Sequence, residues 1–452
     1  MAYYHSVTLD KERCRGCTNC LQHCPTEAIR VRGGKAKIIK ERCIDCGECI
    51  RVCPYRAKRA VTDSFDILND YEYNIALPAP ALYGQFGSSI TADKVLTGLL
   101  EIGFDNVFEV ARAAEYVSSA TKKILDEGKI PEPIISSACP AVIRLISVRF
   151  PGLIDHVINL LSPMEIAAKM ARKEAIEKTG LPDEKIGVFF ITPCPAKMTS
   201  IKASGLLDRS AVSGAISVND IYAKLLAVMK HIEPKHLAKA GFAGISWARR
   251  GGESYGTGIQ NYIVVDGIQN VINILSAIED EKLTDVKFAE LLACPGGCVG
   301  GALNVTNSYV CINNIKNIAS AAGESEPVND VDPEIVKWEK KLYSSDVMNL
   351  DTDLARAVEK MEQIERMCET LPHLDCGSCG APTCRALSED IVLGFANEYD
   401  CIFKRREHVK ELTRELYEIA ERHKKDGSKM TARELERSEE ISIELYELEE
   451  RQ

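Results

Sequence analysis

The 452-residue sequence has no apolar run near the roughly 18 residues that span a bilayer, so no transmembrane helix is expected. Its opening, MAYYHSVTLDKERC, lacks the basic-then-apolar pattern of a secretory signal, and a cytoplasmic location is expected. Excess positive charge is missing too. Lys and Arg number 56 against 66 Asp and Glu, and the net charge of -10 argues against a general nucleic-acid binder. With 45% hydrophobic and 27% charged residues, the composition excludes a disordered or collagenous chain. Cysteine, by contrast, is abundant: there are 18. In a cytosolic chain of this length, clustered cysteines mean metal or redox chemistry rather than disulfides.

The length allows two to four domains at about 150 residues each. Eight cysteines fall within the first 53 residues, as the repeat CRGCTNCLQHCP and CIDCGECIRVCP. A long region alternates apolar β-like runs (YNIALPA, PIISS, GVFFIT, YIVV) with helical patterns such as SPMEIAAKMARKEAIEKTG, which predicts an α/β domain. A soft boundary follows near AAGESEPVNDVDPE, then a helix in DTDLARAVEKMEQIERMCETL, then a compact cysteine cluster. The tail is rich in helix formers and broken at KKDGSKM. Val409, Leu412, Leu416, Ile419 and His423 step by threes and fours like a heptad seam. That seam suits a helical hairpin packed on its own protein, or a homodimer or partner-docking element. The expected fold class is an α/β multidomain protein. It comprises a ferredoxin-like module at 1–62, a two-lobed α/β domain at 70–330, a helical linker at 331–365, a small cluster domain at 366–403 and a helical tail at 404–452.

Cys14, Cys17, Cys20 and Cys24-Pro25 follow C-x2-C-x2-C-x3-C-P, and Cys43, Cys46, Cys49 and Cys53-Pro54 repeat it. This is the two-[4Fe-4S] ferredoxin pattern, in which the fourth cysteine of each run serves the other cluster. Cys14, Cys17, Cys20 and Cys53 are thus expected to hold one cube, and Cys43, Cys46, Cys49 and Cys24 the other. Residues 1–62 carry thirteen basic and six acidic side chains, +7 in an acidic chain. Such a face suits an acidic partner such as a small ferredoxin, or else offsets the charge of the cubes.

Four cysteines stand apart in the middle region: Cys139 in PIISSACPAV, Cys194 in GVFFITPCPAKM, and Cys294 and Cys298 in AELLACPGGCVGGAL. Each group follows an apolar stretch. Loops after strand ends converge on a crevice in α/β sheets, and the surrounding glycines let backbone approach a bulky inorganic group. Four thiolates from three loops would bind a further cube between the lobes. TPCPAK and ACPGGCVGG resemble the second and third signature motifs of [FeFe]-hydrogenases; SSACP resembles the first, and NLLSPMEI the Ser-Pro segment between the first two. The resemblance implies that Cys139, Cys194, Cys294 and Cys298 hold the cube of an H-cluster. Cys298 would bridge it to a two-iron subsite carrying CO, CN⁻ and a dithiolate amine. It also implies that Lys197 hydrogen-bonds a cyanide and that Pro80 and Ala81 line the pocket. H2 would be the substrate, and insertion of the subsite would need hydrogenase maturases.

The sequence departs from the usual motifs. Where the first normally reads Thr-Ser-Cys-Cys-Pro, this chain has Ser136-Ser137-Ala138-Cys139-Pro140, so Ala138 replaces the cysteine that relays protons. Thr192 and Leu292 stand where methionines are usual, and in AAEYVSSATKKI only Glu115 is acidic. A path through Thr192, Ser137 or water would have to carry protons instead. Intact ligands with a cut proton wire resemble the slow, sensory branch (group D). Near the C-terminus, Cys376, Cys379, Cys384 and Cys401 form C-x2-C-x4-C-x16-C, which resembles the single-[4Fe-4S] domains of Rnf-type electron-transfer subunits. Four cubes, three accessory and one in the H-cluster, use sixteen cysteines and leave Cys311, expected in a strand-like core run, and Cys368.

The reading is a slow hydrogenase, H2 ⇌ 2 H⁺ + 2 e⁻, acting as an H2 or redox sensor for a kinase, phosphatase or other regulator. A catalytic ferredoxin-dependent hydrogenase, a Nar-like iron–sulfur scaffold without the two-iron subsite, and a plain electron-transfer module are the rivals. Ala138→Cys is expected to raise H2 turnover by roughly 10²–10⁴, the usual worth of a placed acid/base group, in a gas-evolution assay on the matured protein.

Overall fold

A computed structural model describes residues 4–450 except 88, 326–331 and 427–428. The boundary expected near 321–334 and the tail break at KKDGSKM thus fall partly outside the described residues. The chain forms two compact units, Met1–Asp10 with Lys40–Met348, and Lys11–Ile39 with Asn349–Gln452. The cysteine repeat contributes its first motif to one unit and its second to the other. No helix among the described residues is long and apolar enough to cross a membrane.

The larger unit holds two parallel sheets. In one, Tyr73–Pro78 pairs with both Asn106–Val107 and Ile186–Thr192, and Gly214–Ser217 extends the far edge. In the other, Phe288–Leu292 lies between Tyr262–Asp266 and Ile134–Ile135. All positions of Ile186–Thr192 and Phe288–Leu292 are buried. Helices on both faces require this of a parallel sheet, which is why these strands read as largely apolar runs, with Glu290 the acid within Phe288–Leu292. Apolar clusters around Leu77, Phe190 and Ala167, and around Leu96, Phe189 and Ile221, cover the first sheet. A third, around Ile135, Ile146 and Leu291, covers the second.

One expected element differs. SYVCINNI reads as a strand but begins the helix Ser308–Ala322. Asn307 caps it by accepting a hydrogen bond from the Tyr309 amide, and Cys311, Asn314, Ile315, Ile318 and Ala319 face inward at helical spacing. A short apolar run alone does not separate the two periods. Cys311 is fully buried, as expected of a core residue, and packs where a Cβ on Gly84 would lie 2.5 Å from its Sγ.

The smaller unit combines the hairpin of Ile29–Arg32 with Lys35–Ile38, the helices Leu354–Glu369 and Cys384–Val392, and the tail. The helix Cys384–Val392 stops before Gly394, whose φ of +78° leaves the right-handed region, and a short turn at Glu398–Asp400 completes the path to Cys401. In the tail, Leu412 and Ile419 of Ile402–Asp426 are buried, as are Ile441 and Leu448 of Ala432–Glu450; Leu412, Ile441 and Leu448 form one apolar cluster. The seam is therefore covered by the same chain.

A buried ion cluster anchors the hairpin. Arg30 donates to Asp390 through Nε (2.7 Å) and Nη2 (3.0 Å), and Arg32 Nη2 donates to the same carboxylate at 3.0 Å. Arg32 Nη1 also donates to Cys379 O at 2.7 Å, and the Val31 amide to Gly380 O at 2.8 Å. Gly380 must be glycine here: its φ is +77°, and a Cβ would lie 1.8 Å from Val31 O. Asp390→Ala strands the Arg30 guanidinium without its carboxylate. It is expected to cost this unit about 3–5 kcal/mol, read as a lower denaturation midpoint by tail-specific proteolysis.

Candidate metal centres

The three isolated cysteine loops all leave carboxyl ends of strands. Cys139 follows Ile134–Ile135, Cys194 follows Ile186–Thr192, and Cys294 follows Phe288–Leu292. Cys139 and Cys194 each occupy the N-cap of a helix whose first residue is proline, Pro140–Arg149 and Pro195–Lys202. Proline suits that position because its missing N–H would have no partner there. The helix start also directs positive dipole at a thiolate. Cys-Pro is therefore a local folding instruction as well as a ligand signal.

The four cysteines meet at one cavity enclosing about 870 Å³ of empty space, its mouth included. Ala138, Lys197, Leu292 and Pro80 also line it, with Val110, Met164, Phe190 and Trp247 as apolar wall. Cys298 lines the cavity and is partly open to solvent, and its surroundings, with the charge of Cys294, push its thiol up to about 12. Burial also raises Cys139 and Cys194, and the charge of Cys294 adds to it. Iron would have to displace these protons. The CPGGCVGG loop is folded back tightly: a Cβ on Gly300 would lie 1.9 Å from Pro295 O, and one on Gly301 2.3 Å from Pro193 O.

Lys197 Nζ donates to Ala138 O at 3.1 Å. Burial lowers its pKa, while the surrounding thiols of Cys194, Cys298 and Cys139 favour its charge. A buried ammonium among four thiols fits an anionic cluster better than an empty apolar pocket. The other expected pocket residues stand back. Ala81 is core, Ser137 Oγ donates to Leu160 O at 2.7 Å, and Thr192 Oγ1 donates to Cys194 O at 2.8 Å. None of the three is among the cavity-lining residues. Glu115 is committed elsewhere, accepting from the amides of Gly241 and Gly244 and from Ser325 Oγ.

Two carboxylates that the motifs do not signal reach the cavity instead, Glu253 and Glu290. Ser136 Oγ lies 2.8 and 2.7 Å from the two Glu253 oxygens and donates to that carboxylate. Glu290 accepts from the Gly251 amide (2.7 Å), the Ser254 amide (2.8 Å) and Ser254 Oγ (2.8 Å). Burial, then the charge of Glu290, raises Glu253 to about 8, and burial raises Glu290 as well. A carboxyl poised there exchanges protons near neutral pH. The hint in the sequence is an acid inside an otherwise apolar strand, Phe288–Leu292.

The ferredoxin-like repeat recurs in its backbone. Gly16 and Asp45, Thr18 and Gly47, and Glu27 and Arg56 occupy equivalent positions, all with positive φ. The Ala28 amide donates to Cys24 Sγ and the Ala57 amide to Cys53 Sγ, each at 3.2 Å. Such N–H···S contacts suit cluster sulfurs. In the larger unit the second motif is keyed to the cavity loops through buried Asp45. Its carboxylate accepts from the Ser6 and Val7 amides, from Thr199 Oγ1 (2.8 Å) and from Arg144 Nη1 (3.0 Å). In the smaller unit Cys376, Cys379, Cys384 and Cys401 line one small pocket. Gln22 Nε2, from the first motif, donates to Cys376 O at 3.3 Å. Cys368 stands outside that lining, with Sγ 4.0 Å from His373 Nδ1.

An α/β scaffold whose strand ends deliver four thiols to one cavity, beside ferredoxin-type motifs, defines an iron–sulfur redox protein. Residues 72–258 and 222–302 match the family described as iron only hydrogenase large subunit, C-terminal domain, and the chain belongs to that family. Residues 6–54 match a 4Fe-4S dicluster domain, and 371–403 an Fe-S cluster family. The chain is 30% identical over 231 residues to the periplasmic [Fe] hydrogenase large subunit of Nitratidesulfovibrio vulgaris, covering 46% of this chain and 55% of that one. It is 23% identical over 267 residues to iron hydrogenase 1 of Clostridium pasteurianum, covering 48% and 46%. It thus spans about half the length of these two relatives. It is also 28% identical over 131 residues to a cytosolic Fe-S cluster assembly factor of Coccidioides immitis, covering 28% and 21%. A solved [FeFe]-hydrogenase from Chlamydomonas reinhardtii aligns with a TM-score of 0.48 at 15% identity, over 60% of this chain and 94% of that one.

A raised carboxyl pKa gives stability that is full below its unfolded value and is lost as pH rises through the folded value. For Glu253 that window runs from the ordinary glutamate value of 4.5 to about 8. Glu253→Gln is expected to flatten the loss of thermal stability across that window, as a pH series of melting curves will show.

Proposed function

We propose that the chain is an [FeFe]-hydrogenase of low turnover that senses H2 or redox state, in the manner of the sensory branch. The observation that carries this is the composition of the cavity wall. Cys139, Cys194, Cys294, Cys298 and Lys197 are all present, while the wall at the proton-relay position is the methyl group of Ala138. When bound, a two-iron subsite with a bridging amine supplies the H2 ⇌ 2 H⁺ + 2 e⁻ chemistry.

The chain's own residues would do the rest. Cys139, Cys194 and Cys294 hold the cube, and Cys298 holds the junction with the subsite. Lys197 places its ammonium against an anionic ligand. Val110, Met164, Phe190 and Trp247 keep bulk water out, which strengthens every charge interaction inside. With no thiol at position 138, the nearest carrier built into the wall is Glu253, tied by Ser136 to the loop that bears Ala138. Glu290 lies beyond it. Proton transfer by this longer detour is slow, and a sensor tolerates that.

The accessory cubes would pass electrons to an acidic ferredoxin or to the C-terminal cluster, and the helical tail would convey the state to a regulator. The Ser136–Glu253 contact also favours a second reading, a catalyst whose protons travel by this carboxylate route. Infrared spectra of matured protein under argon and then H2, with turnover assayed alongside, decide between them. Shifting CO and CN⁻ bands with slow turnover are expected. Shifting bands with fast turnover would favour the catalyst. Absent bands, with a maturation control that works, would favour a scaffold like the assembly factors. Glu253→Gln is expected to lower the residual turnover roughly 10²–10⁴-fold if it carries the proton.

A further inference from the structure

Arg51 belongs to the second ferredoxin motif, between Cys49 and Cys53, at the end of the helix Glu48–Arg51. Its side chain nevertheless serves the cavity loop. Nη1 lies 3.4 Å from Cys294 Sγ and donates to Gly300 O at 3.4 Å, while Nη2 pairs with Glu48. Nε is buried and has no partner. Burial opposes the guanidinium charge, but Cys294, Glu48 and Cys46 outweigh it. One cation thus sits on the helix that carries Cys49 of the second ferredoxin set and touches a thiol of the cavity set, Cys294.

Holding Glu48 does not explain this placement, since a lysine would do that. A guanidinium presents fixed donors in several directions at once, and one of them points at no protein acceptor. A buried donor of this kind is costly unless something meets it. A sulfur of a bound cube is an acceptor that would. Nearby positive charge and N–H···S bonds stabilise the more negative, reduced form of a cluster, and so raise its reduction potential.

We propose that Arg51 is a positioning residue that sets the reduction potentials of two cubes together: the one on Cys43, Cys46 and Cys49, and the one on Cys139, Cys194, Cys294 and Cys298. The inference rests on the reading that both cysteine sets hold cubes. Each cube takes up one electron on reduction, and Arg51 favours the reduced form of both.

The test is a potentiometric titration with dithionite, followed by electron paramagnetic resonance, on the full chain reconstituted with iron and sulfide. No two-iron subsite is needed. Arg51→Gln is expected to shift two of the cubes to lower potential, changing the reduced-to-oxidised ratio about tenfold, or about 59 mV for one electron. The other two cubes should hold their values. Arg51→Lys, which keeps the charge and the Glu48 pair, is expected to shift the same two by less. Unchanged potentials in both variants at full iron content would overturn the inference and leave the cluster reading standing. A wild-type chain whose cavity cysteines take up no cube would overturn both.

Discussion

Thiols able to hold an anionic cluster have to be gathered from distant parts of the chain and set beside compensating positive charge, and this requirement shapes the rest of the molecule. Four thiols share the cavity, and cations and backbone dipoles are placed beside them. Lys197 reaches in from the helix that Cys194 caps, Arg51 reaches in from the ferredoxin motif, and two helices begin at ligand cysteines. The two parallel sheets supply what this needs: rigid strands that end together, each followed by a loop free to turn. The apolar clusters on their faces hold those strand ends in place.

The same logic joins the second ferredoxin motif to the cavity. Asp45 sits in the loop between Cys43 and Cys46, yet its hydrogen bonds go to Thr199 and Arg144 on the helices that follow Cys194 and Cys139. A buried carboxylate with this many donors fixes the loop's register more than it adds stability. In the other unit the C-terminal cysteine loop is held in the same way against the first motif, through Arg32 and Gln22. Each half of the repeat is thus built into the surroundings of one further cysteine set.

Function follows from what surrounds the ligands more than from the ligands themselves. The chain belongs to a hydrogenase family, and beside Cys139 its cavity wall carries the methyl group of Ala138. Glu253, raised to about 8 by burial and by Glu290, is poised to exchange protons at neutral pH where a thiol would otherwise act. Carboxylates so close together and so deeply buried are costly. Their hydrogen bonds to Ser136, Ser254 and Gly251 show that the fold accommodates them deliberately.

By itself the sequence determined the fold class, the cysteine spacing and the presence of Ala138 beside Cys139. These depend on spacing and on residue identity, which a chain displays directly. The helix at Ser308–Ala322 was not legible, because a short apolar run has no period of its own until the cap at Asn307 and the burial of Cys311 define it. Nor were Glu253, Glu290, Arg51 and Asp45. None sits in a motif for the site it serves, and each reaches its long-range partners across 36 to 249 residues of chain. Which charges share the cavity is decided only when the strand ends come together, because electrostatic neighbours are set by distance in space.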